Sequence, residues 1–240
     1  MDKSIQLISI PNLLVALLPV LVVLFVLWKW QQGIKTSVWA VVRMVIQLIL
    51  VGYVLTYIFE SDSSWIVIGV LAVMLFSSSW IALRTLSDRR NELFLKALAS
   101  IVVGGVAVLI LITQGVLMLD PWYLPQYLIP LAGMIFANAM NSVSLAGERL
   151  TSELSRGVDY TEARNTALRA ALIPITNSLF AVGLVSLPGM MTGQILSGVS
   201  PLIAVRYQIM VMCMAFGSAG ISVALFLVLV KTNFLRVEKP

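Results

Sequence analysis

The chain contains no histidine, a single cysteine and few charges, with 11% of its 240 residues Asp, Glu, Lys or Arg. Each absence excludes something. Without histidine, the commonest ligand for zinc, copper and non-haem iron is missing, and so is the commonest general base. With Cys213 alone, no disulfide can form within the chain. The charged fraction lies far below the roughly 25% of soluble domains, which excludes an ordinary globular protein. No Walker A pattern (GxxxxGKS/T) occurs, so any ATP hydrolysis must come from another chain. An intramembrane hydrolase is disfavoured too: serines are plentiful, but no histidine or mid-membrane acid could activate one.

What is present is apolar helix. The chain is 60% hydrophobic, with a mean hydropathy of +0.99. Its repeated long apolar runs predict an all-α polytopic membrane protein, and the short alternating segments of a lipid-facing barrel are absent. The first run ends in WKWQQ with no small-residue cleavage site, so it reads as a membrane segment, not a signal peptide. Seven spans are expected, at about Leu13–Trp28, Val38–Ile58, Trp65–Leu83, Ala97–Leu117, Tyr127–Leu145, Ile175–Leu196 and Val205–Val230. Residues 1–240 are expected to form one transmembrane domain.

Orientation follows from basic residues. Lys29 and Lys35, then Arg84, Arg89, Arg90 and Lys96, then Arg149, Arg156, Arg164 and Arg169, then Lys231, Arg236 and Lys239 fall in alternate loops. The positive-inside rule places these loops in the cytoplasm, with the N-terminus outside and the C-terminus inside. The one substantial polar stretch, residues 148–172, is then cytoplasmic. Gly157, Asp159 and Thr161 predict a turn and an N-cap there, with helix on both sides. A pair of short helices at the membrane surface would suit docking of a peripheral partner through Glu153, Arg156, Gly157, Asp159, Glu162 and Arg164. A solvated charged linker is the competing account.

Polar residues inside a membrane usually face a bundle interior or a cavity. Asn138 and Asn141 share a helical face with Met134 and Leu145, and two accounts fit them: hydrogen-bonding glue between helices, or a translocation path. Gln47, one turn deeper than Arg43, is a further candidate for a buried contact. Gly217, Ser218, Gly220 and Ser222 predict a tight helix–helix face, possible between two copies of the chain.

The most informative stretch runs from Gly183 to Met212. An apolar helix meets Pro188 and Gly189, continues through Met190, Met191, Thr192 and Gln194, and passes a Gly/Ser/Pro turn into the last apolar run. Proline in a helix interior removes a hydrogen bond, and a broken helix in a membrane is tolerated where it is buried or lines a cavity. Met190, Met191, Thr192 and Gln194 join Gln47, Asn138 and Asn141 as candidates for a substrate pathway. A simple proline kink is the bland alternative. Most of the 11 methionines are expected to fill the core.

Four stretches together resemble the FetB (YbbM) family: LVSLPGMM with TGQIL and AVRYQIMVM; IQLILVGYVLTYIF (Ile46–Phe59); LIPLAGMIFANAM (Leu128–Met140); and RAALIPITNS (Arg169–Ser178). Plant aluminium-tolerance half-transporters are similar. The resemblance implies a multi-pass permease subunit of an ABC transporter in the inner (plasma) membrane, homodimeric and surrounded by lipid, exporting iron. It implies that the chain is not itself an enzyme and holds no cofactor, ATP and Mg²⁺ sitting on a FetA-like ATPase partner; no nucleic acid is involved. Glu153, Gly157 and Leu172-Ile173-Pro174 are similar, at longer spacing, to the EAA motif by which ABC permeases engage their ATPases. The residues themselves speak only softly for iron. No acid lies mid-membrane, and a dehydrated ion would meet amide, hydroxyl and carbonyl oxygens or thioethers, the last better suited to copper(I). An ABC permease for a non-metal substrate, or a stand-alone secondary transporter or channel, are the alternatives; the latter normally carries Asp, Glu or His within the membrane.

Overall fold

A computed structural model describes residues 8–60 and 63–235, and all the regular elements among them are helical. The chain divides into two compact units between residues 62 and 63.

The first unit holds α1 (Ile10–Val15), α2 (Leu18–Lys29) and α3 (Ile34–Phe59). Pro19 lies in the first turn of α2, where its missing N–H would have had no helical partner in any case. Left-handed backbone at Gln31 and Gly33 turns the chain so that α3 packs back on α2. Both helices present Leu, Val, Ile and Trp outwards, a surface suited to lipid.

The second unit is a bundle. It comprises α4 (Ser64–Ala82), a 3₁₀ turn (Arg84–Arg89), α5 (Arg90–Ile101), α6 (Ala107–Ile110), α7 (Pro125–Ser155), α8 (Tyr160–Ala181), α9 (Gly189–Leu196), α10 (Pro201–Leu229) and α11 (Lys231–Leu235). Two π-helical stretches, Val102–Val106 and Leu111–Val116, flank α6, so residues 90–116 make one long irregular helix. Contacts fix the directions. Ser218 Oγ lies 3.5 Å from the Ile135 carbonyl oxygen, and Phe226 lies beside Gly147, so α7 and α10 run parallel. Ile175 packs with Ala215 and Ala219, while the Tyr160 hydroxyl donates to the Leu227 carbonyl, so α8 runs back between them. Lys96 reaches Thr232 and Gly104 abuts Ser222, so residues 90–116 are antiparallel to α10. Met74 beside Gly133 and Thr85 beside Ser144 set α4 parallel to α7.

Six helical stretches among the described residues are long and apolar enough to cross a membrane: Ile10–Lys29, Ile34–Phe59, Ser64–Ala82, Arg84–Val116, Pro125–Ser155 and Pro201–Phe234. The chain is a polytopic all-α membrane protein. Each of these stretches contains or closely overlaps an expected span. The remaining expected span, Ile175–Leu196, is not one helix with a kink at Pro188. The return pass through the bundle is α8, which starts at Tyr160 and ends at Ala181. Gly183, at φ +81°, takes the left-handed position that terminates a helix with least strain. Its N–H bonds the Ser186 carbonyl at 3.0 Å, and Pro188 stands at the N-cap of the eight-residue α9. The periodicity marked the break correctly but set the pass too late, because the polar first half of α8 hides its continuity.

The core lies between α7 and α10, where Ile135, Phe136, Met214, Val223 and Phe226 are almost fully buried. Helices in lipid gain little from hydrophobic burial against each other, so close approach through small residues carries the packing. Ser218 and Ser222 are wholly buried within the chain. The serine half of the tight face expected on α10 thus packs within the chain, while Gly217 and Gly220 stay half-exposed. A Cβ built on Gly104 would stand 2.7 Å from the Ser222 nitrogen and 3.0 Å from its Cα, both backbone atoms that cannot swing aside. Gly104→Ala is expected to destabilise the purified protein by about 1–3 kcal/mol through overpacking. Gly220→Ala, with open space around it, should leave the thermal midpoint unchanged or slightly raised; the two midpoints in detergent check the pair.

Candidate functional site

One end of the bundle holds a half-open chamber of about 340 Å³ among α7, α9 and α10. Three helical faces meet there. Tyr127, Pro130, Leu131 and Met134 lie at i, i+3, i+4 and i+7 on α7; Met190 and Gln194 at i and i+4 on α9; Ile203, Tyr207 and Met210 at i, i+4 and i+7 on α10. The short α9 reaches this position because the turn after Ala181 and the N-cap at Pro188 let it depart from the axis of α8. Gln126 and Leu117 complete the rim. The Gln194 Oε1 atom is buried and has no hydrogen-bond partner among the described residues. Polar and apolar groups thus mix, and none of the described residues in the walls carries a formal charge.

The opposite end collects charge. Arg89 pairs with Glu92 at 3.1 Å and donates to the Asn233 carbonyl at 2.9 Å. Arg90 lies over the Trp80 ring, 3.9 Å from its centroid. The α7–α8 turn is here too: Gly157 sits at φ +78°, and the Asp159 carboxylate caps α8 by accepting from the Thr161 N–H at 2.8 Å. That bond holds the Asp159 carboxyl below its ordinary range. An open hollow of about 460 Å³ follows, lined by Asp159, Thr161, Glu162, Asn165, Thr166 and Arg169. The expected turn and N-cap are present, but the flanking helices are the ends of long α7 and α8, not two short surface helices.

The sequence candidates separate on this frame. Met190 and Gln194 line the chamber. Met191 and Thr192 lie on α9 outside its lining; Thr192 Oγ1 bonds the Leu187 carbonyl at 3.4 Å. Asn138 donates to the Met134 carbonyl of its own helix at 2.8 Å, one turn away from the chamber, and Asn141 is exposed. Gln47 sits on α3 of the other unit, where its amide oxygen, turned towards Arg43, accepts from Nε at 3.2 Å. Of the docking candidates, Arg156, Gly157, Asp159 and Glu162 are exposed, and Arg164 holds the Asn165 side chain. Glu153 is buried, its carboxylate held by Arg149. Sequence reading missed Met210, Tyr207, Tyr127 and Gln126, which look like routine membrane residues until three helices converge. Gln208, buried with its amide oxygen unpaired among the described residues, was missed as well.

The family described as Uncharacterised protein family (UPF0014) matches residues 10–235. A UPF0014 membrane protein of Synechocystis sp. is 42% identical over 207 residues, covering 78% of each chain. The chain belongs to the UPF0014 family. Its relatives include the Probable iron export permease protein FetB of Escherichia coli, 37% identical over 88% of this chain and 86% of that one. Protein ALUMINUM SENSITIVE 3 of Arabidopsis thaliana is 29% identical over 85% of this chain and 80% of its own. No solved structure matches. The resemblance to FetB read from four stretches is thus shown, and the chamber draws on two of them: Leu128–Met140 supplies Met134, and the LVSLPGMM/TGQIL run supplies Met190 and Gln194.

At the charged end, Tyr160 ties the α7–α8 turn to the end of α10. Its buried hydroxyl donates to the Leu227 carbonyl, and burial pushes the phenol up to about 12 from 10.0. The folded state favours the protonated phenol, so this contribution is complete below about pH 10 and is lost as pH rises towards 12. Tyr160→Phe should cost about 1 kcal/mol at pH 8. The difference in thermal midpoint between wild type and Tyr160→Phe is expected to shrink from pH 10 to 12; a difference that holds constant would remove the hydroxyl from that role.

Proposed function

We propose that this chain is the permease subunit of an ABC transporter of the inner (plasma) membrane, working as a homodimer and exporting iron with ATP hydrolysed by a separate FetA-like ATPase. One geometric observation carries the reading. The parallel helices α7 and α10 join a chamber at one end of the bundle to a charged helical turn at the other. Such an arrangement can couple a partner bound at the turn to a site within the membrane, since rigid helices transmit displacement along their length.

Orientation fits the same reading. Arg84, Arg89, Arg90, Lys96, Arg149, Arg156 and Lys231 belong to the turn end of the larger unit, which the positive-inside rule assigns to the cytoplasm. The chamber then lies towards the outer half of the bilayer, where a substrate leaving the cell would pass last. With α8 counted as a pass beside the six longer apolar stretches, the chain crosses seven times and its ends lie on opposite sides. The lack of a Walker A pattern in this sequence supports placing ATP and Mg²⁺ on the partner. Iron as cargo is supported by the name and extent of the Escherichia coli relative.

The exposed face of the turn offers Arg156, Asp159, Glu162 and Arg169 for docking. In proteoliposomes holding this chain and its ATPase, Fe²⁺ should stimulate ATP hydrolysis selectively over control metals, and inverted vesicles should accumulate iron. The double variant Arg156→Glu/Glu162→Lys should return hydrolysis to the level of the ATPase alone while the permease stays monodisperse. Full stimulation in that variant would take the docking site away from the turn. A coupled complex indifferent to Fe²⁺ would keep the permease and remove iron.

A further inference from the structure

The chamber has a chemistry of its own. Met134 of α7, Met190 of α9 and Met210 of α10 all line it, so three methionines from three separate helices border one space. Among the described residues no Asp, Glu, His or Cys is in its lining, and no group of three such side chains is placed to hold a metal. The one polar atom buried there without a partner among the described residues is the Gln194 Oε1, a neutral oxygen one turn from Met190. Tyr127 and Tyr207 add aromatic surface.

This donor set discriminates by charge and by softness. Desolvating an ion costs in proportion to the square of its charge, and a chamber without carboxylates offers a divalent ion little in return. Hard cations seek oxygen anions, whereas thioethers favour soft ions such as copper(I). Methionines at three positions could be mere core filling, as is usual for this residue. A filled core, however, leaves no space between them, and here the three border a cavity.

We infer that the chamber is a binding site for a soft monovalent cation, Cu(I) or its analogue Ag(I), held by the thioethers of Met134, Met190 and Met210 with the Gln194 carbonyl oxygen beside them. The inference rests on the permease reading for the site's place along a pathway and not on iron as the cargo, and binding can be measured without transport.

Silver is the probe, since it needs no reductant. Cys213 is exposed and would itself take silver, so the full chain carries Cys213→Ser. Calorimetric titration with silver nitrate in chloride-free detergent buffer should give saturable binding of one ion. Met190→Leu and Met134→Leu conserve volume and should fold, and each is expected to weaken binding at least about tenfold, as loss of a direct ligand should exceed the loss of a supporting one. Met140→Leu, away from the chamber, should leave the affinity unchanged. X-ray absorption of the silver- or Cu(I)-loaded chain should show sulfur neighbours that vanish in the triple Met134/Met190/Met210→Leu variant. Equal silver affinity in that triple variant, or displacement of silver by Mn²⁺, a divalent ion that does not reduce it, at comparable concentration, would overturn the inference. Iron-stimulated ATP hydrolysis without silver binding also overturns it while leaving the permease intact. Methionine-dependent silver binding in a chain that couples to no ATPase supports the site and removes the permease reading.

Discussion

Backbone contact between α10 and the long irregular helix of residues 90–116, at Ser222 and Gly104, sets how closely the other helices of the larger unit can pack. In a bilayer, lipid tails solvate apolar side chains as well as a neighbouring helix does, so packing depends on shape and on the absence of side chains where backbones meet. The π-helical stretch Val102–Val106 falls at this contact, and the second π stretch lies one short helix away. Wide π turns displace part of the helix from its regular ladder. Here they bring a glycine pair, Gly104 and Gly105, against Ser222 of α10 and Phe136 of α7.

From that contact the rest follows in order. With α10 held against residues 90–116, α7 runs parallel to it, and α8 must return the chain between them. At the charged end the passage is closed by the Asp159 cap and the Tyr160 hydroxyl on the Leu227 carbonyl. At the other end the segment between α8 and α10 cannot continue as helix, because Gly183 terminates it and Pro188 cannot donate to a continuing ladder. What remains is eight residues of helix laid against α7 and α10, with a cavity left between the three. The chamber thus lies where the break at Gly183 and Pro188 sets a short helix beside α7 and α10.

The division of charge along the same helices gives the molecule two unlike ends. Basic side chains are neutralised locally where they can be, as in Arg89 with Glu92 and Arg149 with the buried Glu153. The hollow beside the α7–α8 turn stays open and polar. Among the described residues the chamber walls carry no formal charge, and methionine, tyrosine and glutamine side chains line them instead.

Much of this was legible in the residues. The apolar runs determined an all-α membrane protein, since no other arrangement satisfies the backbone of long uncharged segments in lipid. The charge pattern marked one set of loops, the Gly157–Asp159 pair marked a helical turn, and the stretch around Pro188 marked a break. The spacing of Met190 and Gln194 placed both on one face of whatever helix followed. The folded chain decided matters that depend on distant pairing. It carried the return pass back to Tyr160, because Ala163, Ala167 and Ala171 bury against neighbours that the polar half of α8 does not reveal. It turned Ser218 and Ser222 inwards, and it left Asn138 bonded to its own helix. Above all, it chose which methionines share a space. Met190 stood out beside the Pro188 break, but Met134 and Met210 are indistinguishable from core methionines along the chain, and only the crossing of three helices gives the three a common cavity.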